Sequence, residues 1–227
     1  MVTGVAGGND LTLRVDASRA LSTESVAELG AVCDAAEDAD AQGFVIVWVS
    51  GVPDPRWARD LSVALVSKWE RGLRRLERLP AVTIAIADED CGGIALDALL
   101  ASDYRIMSAR ARMVVPVVAG AAWPGMALYR LARQAAGAAP ARRAVLFGTP
   151  IGAAAAAAIG VIDEVADNAT AAIEKAMEMA AAVQGTELAI RRQLMLEAVT
   201  TTFEDALGVH LAACDRSLRR LAAAVAE

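Results

Sequence analysis

Ala81-Val82-Thr83-Ile84-Ala85-Ile86-Ala87-Asp88-Glu89-Asp90-Cys91-Gly92-Gly93-Ile94-Ala95-Leu96-Asp97-Ala98-Leu99-Leu100-Ala101-Ser102-Asp103 is the stretch that decides the fold. The β-branched run Val82 to Ile86 fits a buried parallel strand. Asp88-Glu89-Asp90 reads as an acidic turn, and Gly92-Gly93 lets backbone approach closely before an apolar helix that carries one carboxylate, Asp97. The first N–H groups of such a helix lack partners. With the positive end of the helix dipole they can hold a phosphate, a carboxylate or the enolate oxygen of a reacting thioester.

Upstream of this centre, Leu11 to Val15 alternates as a half-buried strand does, and Ser22 or Thr23 can cap a helix from Glu24 to Asp38. Phe44 to Val49 is a second buried strand, so the chain opens as a right-handed βαβ unit. Ser50 to Pro55 is a loop by its prolines and glycine, and Asp60 to Leu79 is a long amphipathic helix ended by Pro80. Downstream, strands are expected at Tyr104 to Met107, Arg112 to Val118 (interrupted by Pro116) and Val161 to Val165. Helices are expected at Met126 to Ala135, Ala141 to Phe147 (closed by Gly148) and the Ala-rich run Gly152 to Ile159, then at Ala169 to Val183, Glu187 to Val199 and Phe203 to Ala224.

Composition narrows the classes. A chain of 227 residues with 56% hydrophobic residues can bury a sizeable core. No apolar stretch reaches the ~20 residues of a membrane helix, and Met1 to Asn9 does not read as a signal peptide. A net charge of −6 argues against nucleic acid. Arg71, Arg74, Arg75 and Arg78, with Lys68, share one helix and read either as a solvated face pairing with Glu70 and Glu77 or as a phosphate-binding face. Cys33, Cys91 and Cys214 are odd in number and widely spaced, so no disulfide framework or metal site is indicated and a reducing cytoplasm is the expected home.

The central stretch resembles the motif of the crotonase (enoyl-CoA hydratase/isomerase) superfamily, in which Asn-Gly leads into three glycines, a small residue, Glu and an apolar helix closed by Asp. Here Asp88-Glu89 stands for Asn-Gly, Gly93-Ile94-Ala95 for the glycines, Asp97 for the first catalytic glutamate and Asp103 for the closing Asp. Trp57-Ala58-Arg59-Asp60-Leu61 resembles the loop that supplies the first oxyanion-hole N–H, Trp123-Pro124-Gly125-Met126 the Pro-Gly turn, and Leu146 to Val165 the helix-Gly-helix-Gly-strand signature. The resemblance implies an α/β fold of the ClpP/crotonase-like kind, a spiral of ββα units. It also implies a core domain over 1–165 and a C-terminal helical oligomerisation region over 166–227, in a homotrimer or hexamer.

The same resemblance assigns roles. Backbone N–H groups of Arg59 and Ile94 would hold the thioester carbonyl, an effect worth a factor of ~10²–10³ per donor. The second glutamate position falls on Val117, which moves no proton, and loss of such a group costs a factor of ~10²–10⁴. Asp97 is either the remaining proton carrier or a buried, hydrogen-bonded helix residue. Trp57, Gly93, Val117 and Trp123 are candidates for the acyl pocket. Asp88-Glu89-Asp90 reads as a displaced carboxylate, a cation site or a solvated turn; Cys91 as an activated thiol or an inert small residue; and His210 as no catalytic base.

Val66 to Pro80, the Trp-Pro-Gly-Met turn, Arg143 to Ile151 and Ile190 to Met195 look like the small crotonase homologues of 3,5-dihydroxyphenylglycine biosynthesis. That likeness implies a helper in dehydration and aromatisation of a polyketide CoA thioester made by a type III polyketide synthase. A second crotonase homologue would act beside it, and no cofactor is implied besides the acyl-CoA substrate. The alternative is a non-catalytic partner that stimulates the synthase by contact. An ordinary fatty-acid hydratase is disfavoured by Val117 and the altered glycines.

Overall fold

The apolar run after Pro80 becomes the middle of a parallel sheet because both of its faces are covered. The computed structural model describes residues 10–39, 43–135, 137–182 and 185–225. The chain enters with β1 (Leu11–Asp16), α1 (Thr23–Asp38) and β2 (Phe44–Gly51), passes through α2 (Val63–Leu76), and reaches β3 (Val82–Gly92) and α3 (Gly93–Leu100). Next come β4 (Tyr104–Met107), β5 (Arg112–Val114), β6 (Val117–Val118), β7 (Ala121–Ala122), α4 (Met126–Ala135) and α5 (Ala139–Phe147). β8 (Ile151–Gly152), α6 (Ala153–Ala158), β9 (Glu164–Val165), α7 (Ala169–Ala180), α8 (Thr186–Ala198) and α9 (Phe203–Val225) complete the described chain. The main sheet runs β1-β2-β3-β4-β9 in parallel, while β5 extends the far end of β3 and pairs antiparallel with β8.

Val45, Val47, Ala85 and Ala87 face a core shared with α1, α2 and α3, whereas Phe44, Ile46, Ile84, Ile86 and Ile106 face Ala172 and Ala176 of α7. Covering both faces explains why these strands are continuously apolar rather than alternating. α7 follows the expected boundary at Val165 and packs back onto the sheet. Arg192 on α8 then ties the helical tail to the core. Its guanidinium pairs bidentately with Asp103 (Nε–Oδ1 and Nη2–Oδ2 both 2.6 Å) and also donates to the carbonyls of Leu79 and Ala81. Asp103 in turn accepts from the Thr83 N–H and hydroxyl, each at 2.9 Å.

Several elements differ from the sequence reading. Asp88-Glu89-Asp90 is strand, not turn: Val49 pairs with Ala87 but Gly51 with Cys91, so β3 bulges by two residues there while Arg112 holds Asp90 at 2.6 Å. Ser50 and Gly51 join β2, while α2 starts later than Asp60 because the Ser62 hydroxyl caps it, accepting from the Leu65 N–H at 3.1 Å. The expected strand Arg112 to Val118 splits at Pro116 into β5 and the β6–β7 hairpin, and only Glu164–Val165 of the Val161 to Val165 strand is ladder-paired. The expected Ala169 to Val183 helix stops at Ala180, while Val183, like Met1 to Asn9, lies outside the described residues. No described helix is long and apolar enough to cross a membrane.

Candidate active site

The bulge in β3 delivers Cys91 and Gly92 to β5, where they pair with Met113 and Val114. At Gly92 a Cβ would lie 2.8 Å from the Val114 carbonyl oxygen, and Gly93 has φ +48° with Pro53 only 3.0 Å from where a Cβ would sit. Both positions therefore need glycine, one for close approach and one for left-handed backbone. α3 begins there with no side-chain cap, leaving the Ile94 N–H in the first turn without an intrahelical acceptor. Asp97 follows one turn later.

Gly93, Ile94, Asp97, Trp57, Trp69 and Trp123 share the wall of one cavity, of about 30 Å³. Trp57 and Trp123 meet edge to face at 5.1 Å and 75°. Leu61, Val66, Val115 and Ala127 make much of the remaining wall apolar. A second cleft of about 670 Å³, between β1 and α1, is also lined by Ile94 and Trp69, together with Arg14 and Arg19.

The electrostatics come from three segments remote in sequence. The Arg130 side chain, 8% exposed, pairs with Glu70 of α2 (3.0 Å) and with Glu77 just past its end (2.8 Å). Burial raises the carboxyl of Glu70 above its ordinary range, opposed by Arg130. Asp97 keeps some solvent contact as a residue, but its carboxyl lies deep among protein atoms. Burial, reinforced by the nearby Glu70 charge, pushes Asp97 up to about 7, so it exchanges its proton near neutral pH. The Ala127 N–H and the Trp69 indole approach this carboxyl on the side that favours its charged form. Even so, Trp69 Nε1 completes no hydrogen bond.

The structure brings Trp57, Gly93, Ile94, Asp97 and Trp123 together and leaves Arg59 and Val117 out. The Arg59 N–H already donates to the Arg56 carbonyl at 3.0 Å within the loop turn, and Arg59 borders a separate surface depression. As a first oxyanion-hole donor it is corrected: in this conformation its hydrogen is spent. Val117, as wall of the acyl pocket, is also corrected. It is 47% exposed on the β6–β7 hairpin, and Val115 and Pro116 line the cavity instead. The break at Pro116 changes which side chains face inward, so counting residues from the motif overshoots.

Other candidates resolve as structural. Cys91 is fully buried and its thiol is pushed up to about 12, the reverse of activation. Asp90 is held by Arg112 away from the cavity, and His210 is exposed on α9. The arginine-rich face of α2 divides: Arg74 pairs with Glu77 at 2.9 Å, Arg75 with Asp34 at 2.6 Å and Glu37 at 2.5 Å on α1, while Glu70 is claimed by Arg130. Sequence reasoning missed Trp69, Glu70 and Arg130 as site residues. Trp69 sits on the inward stripe of α2 with Leu73 and Leu76, a signal that marks burial only.

A family model described as enoyl-CoA hydratase/isomerase matches residues 60–223. An "Enoyl-CoA-hydratase" of Amycolatopsis orientalis is 54% identical over 211 residues, spanning 93% of this chain and 97% of its own. A crystal structure of an enoyl-CoA hydratase/isomerase from Marinobacter aquaeolei matches 100% of this chain and 91% of its own, with a TM-score of 0.77 at 18% identity. An enoyl-CoA hydratase from Shewanella pealeana matches 97% and 86%, again with a TM-score of 0.77 at 18% identity. At such identities these two structures speak for the fold alone.

Proposed function

The chain belongs to the enoyl-CoA hydratase/isomerase family, and on that premise we propose that it binds a CoA thioester with the acyl end at the start of α3. There it assists dehydration and aromatisation of a polyketide thioester, in an antibiotic-precursor route of the 3,5-dihydroxyphenylacetyl-CoA kind. The observation that carries this reading is Asp97, an enclosed carboxyl pushed up to about 7 one helical turn from the Ile94 N–H. An acid poised near the working pH is what protonation of a departing hydroxyl requires.

In such an elimination the Asp97 carboxylate takes the α-hydrogen and, as the acid so formed, hands that proton to the hydroxyl as the Cβ–O bond breaks, so that water leaves and the carboxylate is regenerated. The Ile94 N–H stabilises the charge that develops on the thioester oxygen. Between two carbonyls of a polyketide the α-hydrogen is already acidic, so an absent second carboxylate costs less there than on a simple acyl chain. Arg14 and Arg19, which line the same cleft as Ile94, offer cations for the CoA phosphates. The partners proposed are a type III polyketide synthase, a second crotonase homologue and further copies of this chain in a trimer or hexamer.

A second reading, stimulation of the synthase by contact alone, is favoured by the smallness of the cavity and by the Arg59 N–H being already bonded. The product profile from malonyl-CoA, with the synthase and the second homologue present, separates the two. Wild-type protein should increase the aromatic thioester and folded Asp97→Asn should not. An equal increase with both proteins would replace the first reading by the second.

A further inference from the structure

Between the C-terminal ends of α2 and α3, the outer side of α4 and the face of α8 lies a third cavity, of about 540 Å³, which shares no lining residue with the Asp97 cavity or the β1–α1 cleft. Its size suits a small molecule. Met126, Met195, Leu196 and Val199 give it an apolar wall, and Met195 and Val199 are both 66% exposed. Arg74, Arg105, Arg130, Arg133 and Arg192 also line it, against Glu77 and Asp103 as its carboxylates, in a chain of net charge −6. Arg74 and Arg130 share Glu77, and Arg192 is taken by Asp103. Arg105 is satisfied by neutral groups, donating to the carbonyls of Leu100, Ser102 and Val161 and to the Gln134 side chain. Burial pulls its pKa below the ordinary range, the mark of a cation short of counter-charge. Arg133 donates to the Tyr129 hydroxyl at 3.0 Å and forms no ion pair among the described residues, so most of its guanidinium fork is open.

We infer that this cavity is a second ligand site, which takes a small organic carboxylate with an apolar or aromatic body, its head on Arg133 and its body against Met126, Leu196 and Val199. A carboxylate matches a guanidinium fork with two parallel N–H···O bonds, and its charge also answers Arg105 on the same cavity. Head and body are both required. A neutral ligand leaves the two cations without counter-charge, and a bare small anion leaves the methionine wall in water. Sealing the cavity with an apolar face of another copy would bury Arg105 and Arg133 uncompensated, a cost that an anionic ligand avoids. The inference does not depend on the thioester reading, because Arg133 and the apolar wall lie outside the Asp97 cavity.

The test is titration of the full chain with phenylacetate, with its neutral analogue phenylacetamide and with acetate, followed through the methionine methyl NMR signals and repeated on Arg133→Gln. Wild type should bind phenylacetate with a Kd of about 1 mM or tighter, shifting the Met126 and Met195 methyls. Phenylacetamide and acetate should each bind at least about tenfold more weakly. Arg133→Gln should lose about tenfold in affinity for phenylacetate. The three-ligand comparison on wild type needs no variant, so it stands even if Arg133→Gln folds poorly. Equal affinity for phenylacetate and phenylacetamide would overturn the inference, and so would acetate binding as tightly as phenylacetate. A folded Arg133→Gln with unchanged affinity would place the ligand elsewhere and overturn it too. Absence of phenylacetate binding up to about 10 mM would overturn it outright; if Met195→Lys then dissociated an assembly seen by light scattering, a second copy and not a ligand would cover this face.

Discussion

Replacing Asp97 by Asn removes an ionisation that the fold resists while keeping the side chain's shape. The folded carboxyl titrates at about 7 against an ordinary value of 3.8, with burial the main cause. The native state therefore holds this proton more tightly than the unfolded chain. Stability from this group is complete below about pH 4 and falls as pH rises to about 7, beyond which the loss is level. The full loss is about 4 kcal/mol, at 1.36 kcal/mol for each pH unit of separation. Asn cannot ionise, so Asp97→Asn should gain about 2–3 kcal/mol over wild type between pH 5 and pH 8. Urea unfolding at one protein concentration measures it directly, and the melting temperatures should diverge by roughly 5–10 °C over the same interval. A stability gap constant across that range, or a wild type that gains stability as pH rises, would refute an enclosed, proton-holding Asp97.

Arg192→Met should cost about 3–5 kcal/mol, nearer the lower figure because the Asp103 it strands keeps 24% of its side chain exposed; a loss under about 1 kcal/mol in urea unfolding would mean that α8 is docked by other contacts. Burial pushes Cys33 up to about 11 and Cys91 to about 12, so at pH 8 a chromogenic disulfide reagent should find at most the thiol of Cys214 in the native protein and all three after denaturation. Rapid native labelling of Cys91 would contradict the packing at the start of α3.

What the sequence determined by itself is what depends on neighbours a few residues away. The apolar runs at Phe44 and Val82 specify buried parallel strands, the Ser22 hydroxyl caps α1 by accepting from Ser25, and Gly148 closes α5 with φ +65°. The two glycines before Asp97 mark the start of α3 because close approach and left-handed backbone are written in one or two residues. Tertiary structure alone decided the site's chemistry. Glu70 and Arg130 stand 60 residues apart in the chain yet set the charge beside Asp97. The enclosed indoles of Trp57 and Trp69, the spent N–H of Arg59 and the outward turn of Val117 likewise follow from how loops and strands pack. Burial and electrostatic fields sum over groups that only the folded chain brings together, so a motif can tell where an acid stands but not when it holds its proton.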